Sequence, residues 1–78
     1  MARLPNGWLV SEVGEDICLI KNPGWDEEEV VLRVPADADS IAKAQRSIYL
    51  SELDDESKCF AHFWFGYFYA HMGTGKAF

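Results

Sequence analysis

Cys59-Phe60-Ala61-His62-Phe63-Trp64-Phe65-Gly66-Tyr67-Phe68-Tyr69-Ala70-His71-Met72 is the densest apolar run of this 78-residue chain, and its reading decides the fold. Positions 60–69 hold seven of the eleven aromatic residues. Aromatic runs favour strands. A strand over 59–70 would, however, be about twice the usual ~5–6 residues, with Gly66 weakening its middle. Ser51, followed by Glu52, Asp54, Asp55 and Glu56, has the form of an N-cap with an acidic first turn, where carboxylates favour the positive end of a helix. Gly73 stands where a helix-stopping glycine belongs, with His71 in the last turn. Signals at both ends predict a helix over 52–72.

Stepping ~100° per residue places Phe60, Trp64, Phe68, Ala61, Met72 and Phe65 on one broad arc. Phe63, Tyr67, Gly66, Ala70 and His62 fall opposite, with Tyr69 at the border. Neither arc carries a charge between Lys58 and Met72. A helix that is apolar all round is buried all round, and a chain this short has little material to cover both sides. The inward arc is expected to be Phe60, Trp64 and Phe68, meeting Val10, Leu19 and Leu32. Phe63, Gly66, Tyr67 and Ala70 are expected to form a helix-on-helix homodimer contact about a two-fold axis. Their spacing puts them on one face, Gly66 and Ala70 are small enough for close approach, and Phe63 and Tyr67 offer the aromatic area that interfaces favour.

Working outward, Asp37 or Asp39 caps a shorter helix whose apolar stripe is Ile41, Ala44, Ile48 and then Leu53 or Tyr49. The first half punctuates as strands. Residues 8–13, 17–21 and 30–34 are β-branched and apolar, with Gly14-Glu15 as a two-residue hairpin loop and Asn22-Pro23-Gly24 as a turn. Pro35 closes the third strand. In that pairing Trp8, Val10, Ile17 and Leu19 share one face, and Leu9, Val13, Cys18 and Ile20 the other. The predicted fold is α+β: a three-stranded antiparallel meander followed by two helices packed on one face, in a single small domain over 1–78.

Composition narrows the function. A hydrophobic fraction of 49% excludes a wholly disordered chain. Thirteen acidic against seven basic residues give a net charge of −6, and the basic residues stand singly. Nucleic-acid and anionic-membrane binding depend on clustered Lys and Arg, so neither is expected. The N-terminus reaches Pro5-Asn6-Gly7 before any apolar stretch, which predicts no secretory leader, and the run from Cys59 to Met72 holds two histidines and is shorter than the ~20 residues of a membrane span, so a cytoplasmic protein is expected. Cys18 and Cys59 are too few for a disulfide framework and read as free, buried thiols.

Motif resemblances fail on their missing parts. Cys59 and His62 have metal half-site spacing, but His71 is half a turn out of phase and no further ligand completes a zinc set. Gly73-Thr74-Gly75-Lys76 lacks the upstream Gly of a phosphate loop, since Ala70 stands there, and has Ala77 where Ser or Thr belongs. Solvated carboxylates and two histidines on one helix assemble no acid–base pair or activated nucleophile. Trp8 and Trp25 have the chemistry of a cation cage, but turn-adjacent Trp ordinarily packs across a sheet edge. No catalytic residue, metal or cofactor is therefore expected.

Three functional classes follow. The leading expectation is a small acidic protein-interaction or regulatory module, non-catalytic and homodimeric. The second is a bacterial phage or mobile-element inhibitor whose acidic patch (Asp26, Glu27, Glu28 and Glu29) imitates nucleic-acid phosphates. The third is a small-ligand binder with an aromatic pocket between sheet and C-terminal helix.

Overall fold

The computed structural model describes residues 1–77, with side chains described through His71. In chain order the elements are β1 (Ala2–Arg3), β2 (Leu9–Val13), β3 (Asp16–Lys21), β4 (Glu29–Pro35), α1 (Ala38–Tyr49) and α2 (Asp55–Ala77). The class is α+β, and the strands form one antiparallel sheet in the order β1-β2-β3-β4. There are four strands where three were expected. The extra one is the two-residue β1, which places Ala2 opposite Val10. Two residues carry no alternation to read, but the turn after them is legible. Gly7 N–H donates to Leu4 C=O at 2.9 Å, Leu4 N–H donates to Trp8 C=O at 2.7 Å, and Gly7 takes a φ of +96°. A hairpin turn implies a strand on each side.

The β2–β3 hairpin closes through Gly14-Glu15, with Val13 opposite Asp16 and Gly14 at a φ of +63°. That register sets Val10 opposite Leu19 and, across β4, Leu19 opposite Leu32. Ile20 then pairs with Val30, which leaves Val31 as a bulge residue. Val10, Ile17 and Leu19 are buried in one cluster with Ile41, Ala44 and Ile48 of α1 and Ala61, Phe65 and Phe68 of α2. Both helices thus pack on the same sheet face. Of the two candidates to continue the α1 stripe, Leu53 is buried and Tyr49 is exposed.

The opposite sheet face is half open. Leu9 and Ile20 are half-buried and Val30 is exposed. Cys18 on that face is nevertheless buried, flanked across the strands by Ser11 and Arg33. Arg33 Nε donates to Asp16 Oδ2 at 2.8 Å beside it. Burial pushes the Cys18 thiol pKa up, against a smaller opposing effect of the Arg33 charge.

Caps fix both helix starts. Asp37 accepts from Ser40 N–H and from the Ser40 hydroxyl, both at 2.9 Å. For α2 the cap is Asp54, not Ser51, so the helix begins at Asp55 instead of near Glu52. Asp54 Oδ2 accepts from Ser57 N–H at 3.2 Å, and Asp54 C=O accepts from Lys58 N–H at 2.9 Å. Ser51 is taken up one turn earlier, where its hydroxyl donates to Ile48 C=O at 2.6 Å and finishes α1. α2 continues to Ala77, past the stop expected at Gly73; Met72 and Gly73 lie outside the residues whose side chains are described.

The inward face of α2 differs from the expected arc. Ser57, Ala61, Phe65 and Phe68 are buried, Trp64 is partly buried against the core, and Phe60 is exposed. The helix is rotated by roughly 60° from the orientation in which Phe60, Trp64 and Phe68 would point in. Small residues explain the choice. Ser57 and Ala61 let the helix lie close to the sheet, and Gly66 faces α1, where a Cβ would come to 3.4 Å from Gln45 Nε2.

Candidate functional site

The most conspicuous surface is the outward face of α2. Phe60, Phe63 and Tyr67 are 45%, 56% and 42% exposed, and Ala70 and Cys59 are exposed beside them. Their positions, 59, 60, 63, 67 and 70, follow the spacing that aligns side chains along one helix face. The rings contact one another. Phe63 stacks on Tyr67 with centroids 6.0 Å apart and meets Trp64 edge-on at 5.1 Å, while Tyr67 meets His71 at 4.2 Å. Cys59, Phe60 and Phe63 line a shallow, almost wholly apolar groove.

Of the four residues assigned to a two-fold contact, Phe63, Tyr67 and Ala70 lie on this outward face. Gly66 does not; it is half-buried against Gln45. Sequence reasoning missed Phe60 and Cys59, which occupy the outward face at its N-terminal end. His62 turns toward α1, its ring 5.3 Å from that of Tyr49 and its C=O accepting from Gln45 Nε2 at 3.0 Å. Its Nδ1 is buried without a hydrogen-bond partner. Cys59 is exposed, not buried as expected, because it lies on the outer side of the rotated helix.

The acidic patch is divided. Asp26, Glu27 and Glu28 belong to the β3–β4 loop, whose turn is held by Trp25 N–H donating to Asn22 C=O at 3.1 Å. Glu28 folds back, and its Oε1 accepts from Gly24 N–H at 2.8 Å. Glu29 opens β4, paired with Lys21. Trp25 projects from the loop, 72% exposed. Trp8 lies elsewhere, in the wall of a cleft of about 280 Å³ with Lys21, Glu29, Val31, Ser51 and Glu52. The two tryptophans form no common cage.

Among the described residues no group of three or more His, Cys, Asp or Glu is placed to hold a metal ion. No helix among them is long and apolar enough to cross a membrane. No family model, curated protein or solved structure matches the chain.

Proposed function

We propose that the chain is a non-catalytic protein-interaction module that works as a homodimer through the outward face of α2. The observation that carries this reading is the exposure of three large aromatic side chains, Phe60, Phe63 and Tyr67, on one uncharged helix face. Apolar area left in water forgoes roughly 25 cal/mol for each Å² that a partner would cover, and contiguous exposed aromatic patches ordinarily mark partner contacts. The charge pattern favours a second copy as that partner. Each chain carries a net −6, so copies repel in general, but this face has no charge from Cys59 to His71 and opposes none to itself. A two-fold pairing of α2 with α2 sets Phe63 and Tyr67 of each copy near the axis, flanked by Phe60 and Ala70. Gly66 serves the approach of α1 to α2 within one chain instead.

Light scattering on a sizing column tests the reading, with Tyr67→Asp as the variant. A parent dimer at tens of micromolar and a folded, monomeric Tyr67→Asp are expected, because the substitution brings two like charges to the axis. A parent that stays monomeric throughout, or a Tyr67→Asp chain that loses its helical circular dichroism, would show that the face is not an intermolecular contact.

A further inference from the structure

The cleft beside Trp8 shares no lining residue with the outward face of α2 and is built by four separate segments: Trp8 before β2, Lys21 at the end of β3, Glu29 and Val31 of β4, and the α1–α2 connection at Ser51 and Glu52. Its volume of about 280 Å³ is at the low end for ligand sites, room for one side chain or a small amine. Trp8 and Val31 supply apolar wall, and Glu29 and Glu52 supply carboxylates. Neither carboxylate has a hydrogen-bond or ion-pair partner among the described residues. The lining charges (Lys21 against Glu29 and Glu52) leave one negative charge uncompensated.

The Trp8 ring already faces a cation. Lys21 Nζ lies 5.8 Å from its centroid. That is close to the ~6 Å limit at which an ammonium still feels the ring quadrupole, so the internal contact is weak and displaceable. We propose that the cleft is a recognition site for an alkylammonium group: a thin aliphatic stem against Trp8 and Val31, with its charged head between Glu29 and Glu52. Lys21 is the resident competitor. It occupies the ring face when the site is empty and swings to solvent when an external ammonium enters. Lysine side chains of another protein and free diamines share this chemistry. The inference goes beyond the homodimer reading and does not depend on it, since no residue of the α2 face lines the cleft.

The experiment follows the indole N–H resonance of Trp8 while Nα-acetyl-lysine methylamide is titrated into the full chain, with the norleucine analogue as the uncharged control and cadaverine as the free diamine. The lysine compound is expected to give saturable shifts at millimolar concentration and the norleucine compound none. Tighter binding of cadaverine than of the lysine compound assigns the site to free amines; the reverse assigns it to a protein side chain. Lys21→Met keeps the stem and removes the competing charge. It is expected to tighten ammonium binding roughly two- to five-fold, the equivalent of losing an exposed cation–π contact. Glu52→Gln, on an exposed connection, is expected to weaken it. Absence of binding in both parent and Lys21→Met overturns the proposal. So does weaker ammonium binding in Lys21→Met with its fold intact by circular dichroism, or saturable binding of the norleucine control.

Discussion

Asn6 N–H donates to the hydroxyl oxygen of Ser57 at 3.2 Å, joining the first turn of the sheet to the first turn of α2 across 51 positions of sequence. Ser57 is fully buried, and its hydroxyl also serves Asp54, the cap of α2. One side chain therefore ties the β1–β2 hairpin, the helix start and the core together. Ser57→Ala leaves the N–H of the exposed Asn6 without its partner and removes a cap contact, and losing a hydrogen bond of this kind costs about 0.5–1.5 kcal/mol. Urea unfolding should show a midpoint shift of that size with an unchanged slope. An unshifted midpoint would mean that water replaces the hydroxyl without loss.

The two capping aspartates make stability depend on acid. Ser40, through its N–H and its hydroxyl, holds the Asp37 carboxyl below its ordinary value of 3.8. The Ser57 hydroxyl and N–H do the same for Asp54. For a carboxyl depressed by folding, the stabilisation is complete above the unfolded pKa and is lost as pH falls through the folded one. The melting temperature should fall as pH is lowered below about 4. Asn retains the capping acceptor but cannot titrate. In the double variant Asp37→Asn, Asp54→Asn the acid slope should be shallower than in the parent; identical slopes would place the acid sensitivity elsewhere.

The rotation of α2 is tested by paired truncations. Phe65 is fully buried and Phe60 is 45% exposed. Phe65→Ala should destabilise by about 3–5 kcal/mol, comparable with the ~3–5 kcal/mol that a core of this size supplies, and leave little folded protein at room temperature. Phe60→Ala, measured in dilute protein, should cost about 1 kcal/mol or less. Equal losses would restore the orientation in which Phe60 points inward.

That rotation also marks the boundary of what the residues disclose by themselves. The hairpins are legible because Gly14-Glu15 and Asn22-Pro23-Gly24 have specific backbone demands, and Gly14 and Gly24 do take positive φ angles. The first helix is legible because a capping Asp precedes a stripe of Ile41, Ala44 and Ile48 that all proves buried. The α2 run is apolar on every side, so only the signals at its ends point to a helix, and nothing in the run fixes which side faces in. Contacts decide that: Ser57 beneath the β1–β2 turn and Gly66 against Gln45. Phe63, Tyr67 and Ala70 could be grouped by spacing alone. The Trp8 cleft could not, because Trp8, Lys21, Glu29 and Glu52 come from segments that only the folded chain brings together.

The two thiols give an independent test of self-association through the outward face of α2. Cys59 is exposed and lines the groove with Phe60 and Phe63, while Cys18 is buried on the open side of the sheet with its pKa raised by desolvation. The thiolate is the reactive form, so Cys18 is disfavoured twice, by access and by ionisation. Iodoacetamide on the native protein should add one carbamidomethyl group per chain, at Cys59, and a second only after unfolding, as peptide mass spectrometry would show. Pairing through the outward face of α2, as proposed, would cover Cys59. Its alkylation rate should then fall as protein concentration rises through the dissociation constant, whereas in Tyr67→Asp it should stay constant. A rate independent of concentration in the parent would place Cys59 outside any self-contact. Equal labelling of both thiols would mean instead that the sheet opens around Cys18 on the same timescale, which says nothing about self-association.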